Sequence, residues 1–212
     1  MKFYSSFNMK NLVSASALIF SLMFLSGCGD DPEKEDAPEL ITKATLTFTP
    51  QGGGTVVTAT ATATDPDGEG VQNLRVDGPI ALATNKTYVL TIALINGLAS
   101  PNTPEYDISE EVEEEGDEHM FFFAWTNNVF SNPTGNGNVD NRADAVNYTG
   151  GANATDANGL PLGLTTTWTS ALNAASGTFR VVLKHQPETK SATSDVNVGE
   201  TDMDITFTLN VQ

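Results

Sequence analysis

Asp204-Ile205-Thr206-Phe207-Thr208-Leu209-Asn210-Val211 is the stretch that decides the fold class. Ile205, Phe207, Leu209 and Val211 fall on one side of an extended chain, and Asp204, Thr206, Thr208 and Asn210 fall on the other, because successive strand side chains point to opposite faces. The same period of two runs through Leu46 and Phe48, set between Thr45, Thr47 and Thr49, and through Val57, Ala59, Ala61 and Ala63, set between Thr58, Thr60, Thr62 and Thr64. Gly52-Gly53-Gly54 between these two runs is a turn, so the pair reads as a β-hairpin. Tyr88, Leu90, Ile92 and Leu94 repeat the alternation, and further strands are expected over Phe121 to Trp125, Ala143 to Tyr148, Leu164 to Thr169 and Gly177 to Lys184.

The chain holds 27 threonines, and β-branched hydroxyl side chains suit the wet face of a half-buried sheet better than a helix interior. About eight short strands with one wet face predict an all-β fold, an antiparallel two-sheet sandwich of the Ig-like kind, with a closed β-barrel as the alternative. One short acidic helix is expected: Asp107 is placed to accept from the amide of Glu110, Glu110 to reach back, and Gly116 to end the run.

Upstream of the strands the texture is different. Lys2 and Lys10 precede an apolar stretch from Leu12 to Leu25, and Leu25-Ser26-Gly27-Cys28 closes it with the small-residue pattern of a lipoprotein cleavage site. Met9 would serve as an alternative start, since a charged and an apolar region both follow it. The apolar stretch is shorter than the roughly 20 residues that span a bilayer, so residues 1–27 read as a removed signal peptide. Cys28 is the only cysteine; it is the expected site of lipidation and acylation (palmitate), and it excludes a disulfide within the chain. Residues 28–39 carry Asp30, Asp31, Glu33, Glu35 and Asp36 with two prolines, a composition too polar to order itself and read as a tether. Residues 40–212 form one domain.

The whole chain has a formal charge of −17. Losing the two lysines of the export segment leaves eight basic against 27 acidic residues, or −19. A basic surface for nucleic acid or anionic lipid is therefore not expected. The membrane partner is reached through the lipid alone.

Asp65, Asp67 and Glu69 alternate around a glycine at the sixth place, Gly70, as carboxylates do in a calcium loop, and Asn73 stands at the ninth place. Val76 stands where the twelfth-place glutamate is required, and Pro66-Asp67-Gly68 also reads as a plain β-turn. Asn136, Asn138, Asp140 and Asp144 show a weaker version of that spacing in an asparagine-rich loop. Trp125, Phe130, Tyr148 and Trp168 lie near it and would suit a sugar or a peptide, or else fill the core. Glu110 to Glu118 holds seven carboxylates in nine residues, read as a solvated or cation-attracting face. His119 and His185, the only histidines, would share a metal or haem if their strands were adjacent; otherwise they are strand-end residues. No nucleophile turn, zinc spacing or phosphate-binding glycine loop is present, so the expectation is a non-enzymatic protein.

Pro104-Glu105-Tyr106-Asp107-Ile108-Ser109-Glu110-Glu111-Val112-Glu113-Glu114-Glu115-Gly116-Asp117-Glu118-His119-Met120-Phe121-Phe122-Phe123 resembles Bacteroidota cell-envelope lipoproteins that share an acidic run, a Gly-Asp-Glu-His step and a phenylalanine triplet. The resemblance extends to Arg180 to Pro187 and to Gly199-Glu200-Thr201-Asp202. It implies an envelope lipoprotein and carries no activity with it. Such proteins are sometimes named for the type 1 periplasmic binding fold, from which this chain departs because that fold alternates strands with helices of ten or more residues. The acidic run behind Cys28 resembles the signal that sends such lipoproteins to the cell surface. The expectation is an outer-membrane module, facing outward or else the periplasm, that contacts protein or glycan; the alternative is capture of calcium, haem or glycan for an uptake system.

Overall fold

The structure, a computed structural model, describes residues 39–68, 70–140 and 144–212. The signal peptide, Cys28 and the acidic tether up to residue 38 lie outside the described residues, as does Glu69. The described chain is all-β, with ten strands and one α-helix.

The strands are β1 (Lys43–Pro50), β2 (Val57–Ala63), β3 (Leu74–Val76), β4 (Ile80–Leu82), β5 (Thr87–Ile95), β6 (His119–Trp125), β7 (Phe130–Asn132), β8 (Thr165–Ser170), β9 (Ala175–His185) and β10 (Glu200–Val211), and the helix α1 is Ile108–Glu114. Six strands form one sheet in the order β3-β2-β1-β5-β8-β7, and four form the other in the order β4-β10-β9-β6. The six-stranded sheet curls into a half-barrel and does not close, so the architecture is sandwich-like rather than a barrel. Pairing is antiparallel except between β4 and β10, which run parallel.

The predicted hairpin forms, with Lys43 opposite Thr62 and Phe48 opposite Val57. Gly52 and Gly53 turn it with φ of 73° and 89°. β10 keeps the expected parity: Ile205, Phe207, Leu209 and Val211 are buried, while Asp204, Thr206 and Thr208 are exposed. Leu46 lies between Ala59 on β2 and Ile92 on β5, so a large side chain is flanked by one small and one large neighbour on the inner face.

Three corrections to the expected strands follow from the pairing. Residues 144–148 are a loop rather than a strand: Asn147 exchanges hydrogen bonds with Thr167 from outside the ladder. β3, β4 and β7 are added, each three residues long, too short to display a period. The parallel β4–β10 contact departs from an all-antiparallel pattern.

An aromatic cluster fills the space between the sheets. Trp125 and Trp168 meet edge to face with ring centroids 5.2 Å apart, and Phe130, Phe123 and Phe179 pack on Trp168 at 4.6, 5.3 and 5.0 Å. Offset and edge-on contacts of this kind add to the burial of large apolar area. Both tryptophans are buried, so neither offers a flat face to a sugar.

The outer edge of β6 is closed by side chains and loops. Asn138 accepts from the Phe123 amide through Oδ1 at 2.8 Å and donates from Nδ2 to the Tyr148 hydroxyl at 2.7 Å. Gly137, at φ 106°, lies so close to Phe123 that a Cβ would overlap its carbonyl oxygen. Asn136 donates to Asp140 and Asp144. The asparagine-rich loop therefore serves as a cover for an edge strand, which would otherwise present unpaired amides.

Candidate metal centre

α1 sets one side of the site. The Asp107 carboxylate accepts from the amides of Ser109 and Glu110, as the capping pattern predicts. Ser109 Oγ ties the first turn to β5, accepting from the Leu94 amide at 2.7 Å and donating to the Leu94 carbonyl at 3.3 Å. Ile108 and Val112 face the core. With the helix fixed in rotation, Glu111 and Glu115 lie one turn apart on a shared face, and the Glu115 carbonyl receives the amides of Glu118 and His119 as the chain turns into β6.

β6 and β9 bring the two histidines together. His119 opposes His185 in the ladder, and their imidazoles stack with centroids 4.6 Å apart and planes 9° from parallel. The two strands are adjacent, which is the condition under which the histidines would share a metal or haem. His185 Nε2 lies 3.2 Å from Glu118 Oε2. The Glu118 carbonyl meanwhile accepts from the Gln186 amide at 2.6 Å.

β10 supplies the residue that charge alone did not single out. Thr201 pairs with Lys184 and Met203 with Leu183, so Asp202 is the extra residue of a β-bulge. A bulge re-aims a side chain that regular alternation would send elsewhere, and Asp202 is buried beside exposed Asp204. Its Oδ2 lies 3.8 Å from His119 Nε2, with both side chains 0% exposed. Just before β10, Gly199, at φ 74°, packs on the β9 backbone: a Cβ there would overlap the His185 carbonyl oxygen, and a left-handed φ disfavours any other residue.

The electrostatics of this pocket are unusual. His119 Nδ1 lies 3.1 Å from the Glu115 carbonyl oxygen, which assigns the proton to Nδ1 and leaves a lone pair on Nε2. That Nε2 and both Asp202 carboxylate oxygens are buried without a hydrogen-bond partner. Burial pushes the His119 imidazole down to about 4, against the pull of the Glu115 carbonyl. Burial likewise pushes the Asp202 carboxyl up to about 6, against the electrostatic influence of His185. A backbone contact from Glu39 favours the Asp202 carboxylate.

Two groupings of ligand atoms meet here, Glu115 with His119 and His185, and Glu39 with Glu111 and Glu115, each with its atoms within 4.8 Å of one another. Imidazole nitrogens with carboxylate oxygens form a donor set that divalent transition metals take, whereas calcium takes oxygens alone. Glu115, Glu39 and Asp202 were not singled out individually by the sequence. Of these three, only Glu115 is marked by a sequence pattern, the four-residue steps of Glu111, Glu115 and His119.

Asp65 and Asp67 are exposed and lie elsewhere, in a turn closed by the Gly68 amide on the Asp65 carbonyl at 3.1 Å. Gln72 Nε2 braces that turn through the carbonyls of Gly68 and Gly70. The third residue of the calcium pattern, Glu69, is outside the described residues.

No described helix is long and apolar enough to cross a membrane. Neither a family model nor a curated protein nor a solved structure matches the chain.

Proposed function

We propose that the protein is a lipid-anchored outer-membrane lipoprotein, displayed at the cell surface, that acts as a binding or bracing module without catalysis. The observation that carries this reading is Cys28, the only cysteine, directly behind Leu25-Ser26-Gly27 and directly before an acidic run. Lipid on its sulfur would anchor the chain at about 0.8 kcal/mol per buried methylene, and several acyl chains together hold a protein stably. The resemblance to Bacteroidota envelope lipoproteins supports the outward location. Burial of Trp125 and Trp168 favours a bracing or protein-contacting role over glycan capture, because stacking on a sugar needs an accessible ring.

Membrane pellets and protease shaving of intact cells test the proposal. Cys28→Ala is expected to move the protein from the pellet to the soluble fraction, and shaving is expected to remove the wild-type domain. Sedimentation of the variant with membranes would refute the lipid anchor. A domain protected while a known surface protein is cleaved would refute the outward orientation and place it on the periplasmic face.

A further inference from the structure

We propose that Glu115, His119 and His185, backed by the Asp202 carboxylate, bind one divalent transition-metal ion of the zinc class. The inference is independent of the lipid anchor.

Three observations converge on it. Ligand atoms of Glu115, His119 and His185 lie within 4.8 Å of one another, and two histidines with one glutamate is a donor set that zinc accepts. Asp202 is fully buried, faces His119 Nε2 at 3.8 Å, and has no hydrogen-bond partner on either oxygen. A carboxylate removed from water without a partner is strongly unfavourable, and a cation beside it removes that penalty. Finally, a β-bulge turns Asp202 inward, and bulges concentrate where a side chain has to be re-aimed.

The stacked rings define how the ion enters. Imidazole lone pairs lie in the ring plane, so two nearly parallel rings direct theirs within separate parallel planes instead of toward one ion. One ring has to turn. His119 is held by the Glu115 carbonyl and is 0% exposed; His185 has a side chain 7% exposed and is held at Nε2 by the half-exposed Glu118. His185 is therefore the ring that unstacks, giving up Glu118 as it does so.

The test is a titration of the full-length protein, purified in detergent, with zinc and with cobalt as a spectroscopic stand-in. One ion per chain is expected, with cobalt absorption in the visible showing nitrogen ligation. His185→Gln and Glu115→Gln are each expected to weaken binding by more than about tenfold, with far-UV circular dichroism unchanged. Histidine NMR should show the His185 ring changing environment on zinc addition. Asp65→Asn with Asp67→Asn, in the exposed turn, should leave affinity unchanged, as should neutralising the acidic residues at 30–36. The proposal is overturned if wild type binds no ion, if both folded variants bind as wild type does, or if affinity is lost only with the tether or turn substitutions.

Discussion

Lys190→Met isolates one buried ion pair whose magnitude can be worked from its contacts. Lys190 Nζ donates to Asp156 Oδ2 at 2.8 Å and to the Gly116 carbonyl at 2.5 Å, and both side chains of the ion pair are 1% exposed. Burial pushes the Lys190 ammonium below its ordinary value, and its hydrogen bond to Asp156 opposes that shift. Methionine keeps the length of the stem and removes the charge, leaving a buried carboxylate. Breaking a buried pair in this way costs about 3–5 kcal/mol. Asp156 Oδ1 still accepts from the amides of Asn158 and Leu160, so the lower end, about 3 kcal/mol, is expected, or about 6–12 °C in Tm for a domain of this size. Arg180→Met is the comparison: the Arg180–Asp204 pair has two short contacts, but its side chains are 39% and 42% exposed, and about 0–1 kcal/mol is expected. Urea unfolding followed by tryptophan fluorescence measures both. Adding Asp156→Asn to Lys190→Met removes the stranded charge and should recover part of the loss. The reasoning fails if Lys190→Met costs no more than Arg180→Met, or if the double variant is less stable than the single.

Phe179→Ala, which removes a ring packed on Phe48, Phe123, Phe130 and Trp168, should cost about 3–5 kcal/mol in the same unfolding assay; a loss under about 1 kcal/mol would show that the cluster collapses around the gap. Gly199→Ala should destabilise the domain and shift the His185 imidazole resonance, since both backbone conformation and space forbid a Cβ there; a variant with wild-type stability and resonances would contradict the close approach. Asp77 is held below the ordinary carboxyl value of 3.8, chiefly by the Thr60 hydroxyl and further by Thr62. A carboxyl depressed in the folded state contributes stability that is complete above its unfolded value and is lost as pH falls through the folded one. Thr60→Val should move the Asp77 midpoint upward in a carbon-detected NMR titration, and an unmoved midpoint would count against the hydroxyl as its cause.

Alternation carried most of the fold into view because one wet face and one dry face force a period of two. β1, β2, β5 and β10 announce themselves in this way, and so does α1, whose cap residue Asp107 is local to the helix it starts. The missing strands had no room for a period: Leu74–Val76, Ile80–Leu82 and Phe130–Asn132 are strands only because β2, β10 and β8 lie beside them. The site was legible in halves. Glu111, Glu115 and His119 follow one another at four-residue steps, whereas His185 joins them only through the pairing of β6 with β9. Asp202 reads as one more solvated acid next to Asp204 until the bulge between Thr201 and Met203 turns it inward.

The two ends of the β6–β9 pair solve burial in opposite ways. At one end Trp125 opposes Phe179 within an aromatic cluster whose one unmet polar group is the neutral Trp125 Nε1. At the other, six residues and about 20 Å along the strand, His119 opposes His185 beside a carboxylate with no hydrogen-bond partner. Replacing a poorly paired buried charge by a well-packed apolar side chain is commonly neutral or stabilising, so packing alone does not call for a carboxylate at position 202. A bulge turns a desolvated carboxylate into one small volume, and the result is an electron-pair donor beside the two stacked imidazoles. A cation beside Asp202 and the two imidazoles is the occupant that would supply the partner this end of the pair lacks.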